Sequence, residues 1–390
     1  MTIIAQGEHT HFSRAEFDAR RAATVAQMQR RGLRALLMFR QESMYYLSGY
    51  DTFGYVFFQC LYLGSDDRMV LLTRAPDLLQ AEHTSVIEDI RIWVDGPEAQ
   101  PAQDLKTLLA GLGLAGRKLG VEWDSYGLTA RNGQRLSAAF DGFAALIDAS
   151  DLVTKLRAVK SPAELAYVRE AAKLADAALE AAHAEIRPNA FEGDILAAMH
   201  GAVFRGGGDD PANEFIIGSG ADALLCRYKT GRRHLSAEDQ LTLEFAGTYR
   251  HYHACLMRTI GVGKIDPRLG DMHSAAQDAL FAAEEALKPG DPIGQVFDAH
   301  ARTLDARGYR HARMNACGYG LGTTFAPNWM DWPMFYTGNP VEAEPGMVFF
   351  IHIILFDADT GFAMSLGRSS VVGARKAETL SAAALDLVIK

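Results

Sequence analysis

Residues 243 to 259, LEFAGTYRHYHACLMRT, constrain the fold most, because their side chains alternate in character as an extended chain requires. Leu241, Leu243 and Phe245 fall on one face and Thr242, Glu244 and Ala246 on the other, which predicts a half-buried strand ending at Gly247. A second strand is expected from about His253, where His253, Cys255 and Met257 oppose Ala254, Leu256 and Arg258. Such a hairpin presents Glu244 on one strand and Cys255 nearby on the other. A carboxylate on an inward strand face is costly to bury unless a partner or a chemical role offsets it, so the pair is a candidate site.

A chain of 390 residues is too long for one average core and is expected to form two domains. Hydrophobic residues at 48% and charged residues at 22% are those of an ordinary globular protein. The net charge of -9 argues against a phosphate-backbone partner, so no nucleic acid is expected. No apolar run reaches the length of a membrane span, and the start MTIIAQGEHTHFSRAEF lacks the basic and apolar blocks of a signal peptide, so a cytoplasmic protein with no membrane partner is expected. Cys60, Cys226, Cys255 and Cys317 lack CxxC spacing, which suggests buried thiols and neither a disulfide framework nor a zinc cage.

Residues 15 to 32 read as a helix stopped by Gly32, followed by the strand-like RALLMFR. Further strands are expected at 69 to 74, 90 to 95 and 118 to 123, with helical stretches between them, giving an α/β amino-terminal domain over residues 1–155. Ser161, Pro162 and Glu164 form a capping-box start for a long amphipathic helix at the opening of a second domain, residues 156–390. That domain should be α+β: long helices, the hairpin, helices near 271 to 287 and 293 to 307, then GMVFFIHIILF (346 to 356), apolar on both faces as a central strand requires, and FAMSLGRSSVVG (362 to 373).

The motifs TKLRAVKSPAELAYVREAA, GSGADALLCRY (218 to 228), the hairpin through Arg258 and Thr259, CGYGLG (317 to 322) and EPGMVFF (344 to 350) together resemble the creatinase, prolidase and methionine aminopeptidase superfamily. QESMYYLSGYDTFGY, residues 41 to 55, is similar to the amino-terminal domain of its creatinase and prolidase branch. The resemblance spans nearly the whole chain and implies a catalytic domain with the pita-bread fold. Metal-dependent relatives hold two divalent ions with two aspartates, a histidine and two glutamates, donors suited to such ions. Carried over one position at a time, those ligands become Glu244, Cys255, Tyr319, His352 and about Ser365, and the substrate-contacting histidines become Arg227 and about Ala326. No metal and no cofactor are therefore expected.

Within the superfamily, EFAGTYRHYHACLMRT with CGYGLGTTFAPNWMDWP resembles the ectoine hydrolase branch, which opens a cyclic amidine to an N-acetylated diaminobutyrate. A cationic ring is repelled by metal ions and attracted by a carboxylate, so lost ligands and an amidinium substrate belong together. On this reading Glu244 attacks the amidine carbon or aligns a water, His352 shuttles the proton, and Tyr319 donates to the leaving nitrogen or the tetrahedral species. Thiolate attack by Cys255, activated by His352, is the competing scheme. Trp329 and Trp332 would offer indole faces that hold a desolvated cation for roughly 2 kcal/mol, Asp331 a hydrogen bond to an amidinium nitrogen, and Arg227 a clamp for the substrate carboxylate. Arg258 is read as a brace. The resemblance also implies a homodimer in which Phe53 and Tyr55 line a neighbour's pocket, and a deacetylase as a candidate partner. The alternatives are a creatinase-like hydrolase of another small amidine or guanidine, and a catalytically dead binding or scaffold protein.

Overall fold

The computed structural model describes residues 7, 9–227 and 231–390. It divides into two compact units, Met1–Arg157 and Ala158–Lys390. In the first, helices α1 (Arg14–Arg30), α2 (Gln41–Ser48), α3 (Leu78–Thr84), α4 (Pro101–Gly111), α5 (Ala130–Phe140) and α6 (Ser150–Ala158) surround a six-stranded sheet. Its strands are β1 (Ala35–Met38), β2 (Cys60–Gly64), β3 (Met69–Arg74), β4 (Ile90–Trp93), β5 (Lys118–Val121) and β6 (Ala145–Asp148), in the order β4-β3-β2-β1-β5-β6. Alternation along β1 feeds two cores. Ala35 and Leu37 join the helices α4 and α5 on one side, while Leu36 and Met38 join residues of α1, α2 and α6 on the other. A sheet covered on both faces is the α/β arrangement expected.

The second unit opens with α7 (Pro162–Glu185), whose start is the expected capping box: Ser161 Oγ accepts from the Glu164 amide at 3.3 Å, and the Glu164 carboxylate accepts from the Ser161 amide at 2.9 Å. The same carboxylate accepts from Tyr252 Oη at 2.8 Å, so the cap also ties the helix to the sheet. After α8 (Glu192–Arg205) come β7 (Ile216–Ser219), β8 (Asp239–Tyr249), β9 (Tyr252–Val262), α9 (Pro267–Ala286), α10 (Gly294–Ala306), β10 (Gly318–Gly320), β11 (Asp331–Met334), β12 (Val348–Asp357), β13 (Phe362–Val372) and β14 (Ala377–Thr379). All pairings are antiparallel, in the order β11-β10-β12-β13-β9-β8-β7, with β14 beside β13.

The hairpin runs further than expected. It turns at Arg250 and His251, both with positive φ as a two-residue hairpin turn of this hand requires, and not at Gly247. Gly247 is needed for packing instead. A β-carbon there would collide with the carbonyl oxygen of Ala171 and the amide nitrogen of Ala175, so the glycine lets α7 lie directly on the sheet. Its cross-strand partner Ala254 packs with Ala171 and Ala172 on that same helix-covered face. Further along, Phe349, Ile351, Ile353 and Leu366 join Met272, Ala276 and Leu280 of α9 and Val296 and Leu304 of α10 in the main core. The residues between these alternate positions point to the sheet's other face. Among the described residues no helix is long and apolar enough to cross a membrane.

Candidate active site

Strand register decides which side chains share the helix-free face. Glu244 pairs with Met257, Met257 with Gly367, and Gly367 with His352, so these four form one line across β8, β9, β13 and β12. The neighbouring line runs from Ala246 through Cys255 and Ser369 to Phe350 and Tyr319; Ser369 Oγ accepts from the Cys255 amide at 2.8 Å and donates to its carbonyl at 3.0 Å. Glu244, Cys255, Tyr319 and His352 therefore face the same way. At Gly367 a β-carbon would lie 2.9 Å from the Phe350 ring and 3.0 Å from His352 Cα, so the missing side chain keeps the floor between them open.

Strands β8 and β10 are four places apart, about 19 Å in a flat sheet. Yet Tyr319 Oη donates to Glu244 Oε1 at 3.3 Å. Two side chains cannot cover 19 Å, so the sheet curls and its helix-free face is concave. Trp329 Nε1 in turn donates to Tyr319 Oη at 2.8 Å. An indole can only donate, so the phenol must pass its own proton toward the carboxyl, and the three groups form a directed chain ending on Glu244.

Burial pushes the Glu244 carboxyl up to about 7, against the opposing pull of the Tyr319 hydrogen bond and the Arg227 charge. It is thus poised to exchange a proton near neutrality. Tyr319 is held far above its usual range by burial first and by the Glu244 charge second, so it remains a neutral donor. The Cys255 thiol is fully buried and is also pushed well up, by burial first and by the Glu244 charge second. The group that the thiolate scheme has lowering the thiol, His352, is itself held down at about 4 by burial. His352 stacks obliquely on Tyr319 with ring centroids 5.6 Å apart, and its buried Nδ1 has no hydrogen-bond partner among the described residues. Three strand places separate its backbone from that of Glu244, and the Tyr319 side chain, from β10 beyond β12, reaches both groups.

Of the expected substrate contacts, Arg227 is exposed and its charge reaches Glu244. Trp329 is at the site but only 1% exposed, so it serves there as a hydrogen-bond donor to Tyr319 and not as an open indole wall. Trp332 packs against the core formed by α9, α10 and β12, away from the carboxyl. Asp331 accepts from the Trp332 amide at 2.9 Å, and its Oδ2 lies with the Lys160 ammonium against Gly322. Phe53 is 77% exposed and Tyr55 buried, both in the first unit. Arg258 is the brace anticipated, donating to the carbonyls of Met257, Gly367 and Ala384.

Two residues of this neighbourhood were not anticipated. Asn213 Oδ1 accepts from the Trp329 amide at 3.3 Å, and His253 bonds both rim segments beside the site. His253 shares its strand parity with Cys255, a signal the alternation already carried; Asn213 sits in a loop and has none.

A two-ion centre needs several carboxylate and imidazole donors converging within bonding reach. Here one carboxyl, a phenol and a buried thiol share the face instead, and among the described residues no three His, Cys, Asp or Glu side chains are grouped to hold an ion. The donor set does not fit such a centre.

Residues 20–159 match the creatinase/prolidase N-terminal domain, and residues 166–380, more than half of the chain, match metallopeptidase family M24. An uncharacterised hydrolase/peptidase of Sinorhizobium fredii is 27% identical, over 97% of this chain and 99% of that protein. The ectoine hydrolase of Halomonas elongata is 26% identical, over 97% of this chain and 98% of its own. Among solved structures, the Xaa-Pro dipeptidase from Bacillus anthracis superposes with a TM-score of 0.84 at 21% identity, covering 96% of this chain and all of that one. The chain belongs to metallopeptidase family M24, as a hydrolase of the pita-bread fold joined to a creatinase/prolidase amino-terminal domain.

Proposed function

We propose that this chain hydrolyses a carbon-nitrogen bond of a small cationic cyclic amidine, ectoine, without a metal ion, giving an N-acetylated 2,4-diaminobutyrate. One observation carries the reading: the curled sheet gathers its inward polar groups on a single carboxyl, Glu244, poised at about 7, where metal-dependent relatives need several ionised donors. A bound amidinium favours the ionised form of Glu244 and is held by it. The carboxylate takes a proton from a water that attacks the carbon between the two ring nitrogens, then returns that proton to the departing nitrogen. Tyr319 keeps the carboxyl aimed, neutral His352 supplies a second proton-exchanging group, and Arg227 clamps the substrate carboxylate. Hydroxyectoine is a second substrate on this reading, since one hydroxyl changes little in the ring.

The similarity to an ectoine hydrolase along nearly the full length supports the substrate. The reading includes a cytoplasmic homodimer in which exposed Phe53 is offered to the partner subunit, and a deacetylase that takes the product. Incubation of chelator-treated protein with ectoine, followed by mass spectrometry, tests it: an N-acetylated diaminobutyrate is expected. Turnover of a guanidine compound such as creatine and none of ectoine would favour the creatinase-like alternative. Binding without turnover would favour a scaffold, and activity that vanishes with chelator and returns with metal would overturn the proposal.

A further inference from the structure

His253 lies on β9 two residues before Cys255, buried with no exposed surface. Its Nε2 accepts from the backbone N–H of Ala212 at 2.9 Å, which leaves the ring proton on Nδ1. Nδ1, 3.1 Å from Thr324 Oγ1, is then the donor in that bond. The His253 backbone adds a third tie, its N–H donating to the Gly322 carbonyl at 3.2 Å. Ala212 is followed by Asn213, which accepts from the Trp329 amide, and Thr324 leads toward Trp329 from the other side. Both segments that hold Trp329 thus meet at one imidazole, which adds to the bonds that Asp209 and Thr324 make to the hairpin turn.

We propose that His253 is a positioning residue for the Glu244 site: as a neutral Nδ1–H tautomer it fastens the 209–213 and 322–330 segments together, and through Trp329 and Tyr319 it aims the carboxyl. An imidazole with one nitrogen accepting and the other donating satisfies a main-chain N–H and a hydroxyl in opposite directions. Burial and the neighbouring His251 charge hold it at about 3, so the tautomer persists through the working pH range. In its activity arm the inference rests on the proposed function.

Hydrogen exchange read by mass spectrometry, with ectoine turnover alongside, tests it in the full chain. In His253→Phe, amides of both segments should exchange at least about tenfold faster while α7 and α9 stay protected, and kcat should fall about 100-fold, the scale of a misaimed group. His253→Gln, whose side-chain oxygen reaches the Nε2 position, should restore protection at 209–213 and most of kcat. Should His253→Phe not fold, Thr324→Val leaves the ring in place and should loosen 322–330 with a smaller loss of kcat. Unchanged exchange in both segments, loss of protection throughout the chain, or a glutamine variant no better than the phenylalanine one would overturn the inference. If the wild-type protein leaves ectoine intact, the proposed function falls while the exchange measurement still decides the role of His253.

Discussion

Glu244 and Cys255 stand on adjacent strands, facing the same way, and burial first and the charge of Glu244 second push the Cys255 thiol up. A carboxyl poised near neutrality beside a thiol pushed well up makes the two residues unequal. Cys255→Ala should therefore lose less than about tenfold in kcat, whereas Glu244→Gln should lose about 10²- to 10⁴-fold. Iodoacetamide at neutral pH should label exposed Cys226 and spare Cys255, as peptide mapping will read.

Binding should release a proton. The empty site holds Glu244 at about 7, and an amidinium beside it draws that value down, so near pH 7 part of the population must lose a proton on binding. Calorimetry in buffers of differing ionisation enthalpy should give a positive proton release between about pH 6 and 8, and none in Glu244→Gln.

Tyr319→Phe removes the donor to Glu244 and leaves the Trp329 indole without its acceptor. Because the Tyr319 bond lowers the carboxyl, its loss should raise it, and the acidic limb of kcat/KM should move to higher pH. A limb that stays in place would separate Tyr319 from the titration.

The same carboxyl should cost stability. Below the ordinary carboxyl value of 4.5, Glu244 is neutral folded and unfolded; between there and about 7 the unfolded chain gives up its proton while the folded one keeps it; above 7 the whole cost of the buried charge is present. Glu244→Gln should accordingly gain little at about pH 4 and roughly 3 kcal/mol at about pH 8, measured by urea unfolding.

Gly247→Ala should destabilise the second unit by about 3 kcal/mol or more, because the added carbon meets main-chain atoms of α7 that have no rotamer to yield. Thermal unfolding should register it, with Gly270→Ala, which meets nothing within 4 Å, as the control.

Side-chain order alone determined the family, the type of the elements it picked out and the facing of Glu244 and Cys255, because strand parity and helix caps depend on neighbours a few residues away. GMVFFIHIILF read as a central strand and is one, between β10 and β13. Only the tertiary structure decided that Gly247 is a helix contact and not a strand end, since the atoms it admits lie some seventy residues upstream. It also decided that Trp329 turns its indole nitrogen to Tyr319 while Trp332, three residues on, joins the core, and that the thiol of Cys255 stays neutral. Those outcomes depend on how far the sheet curls and how little water reaches its hollow, and both are properties of the assembled sheet that no local spacing encodes.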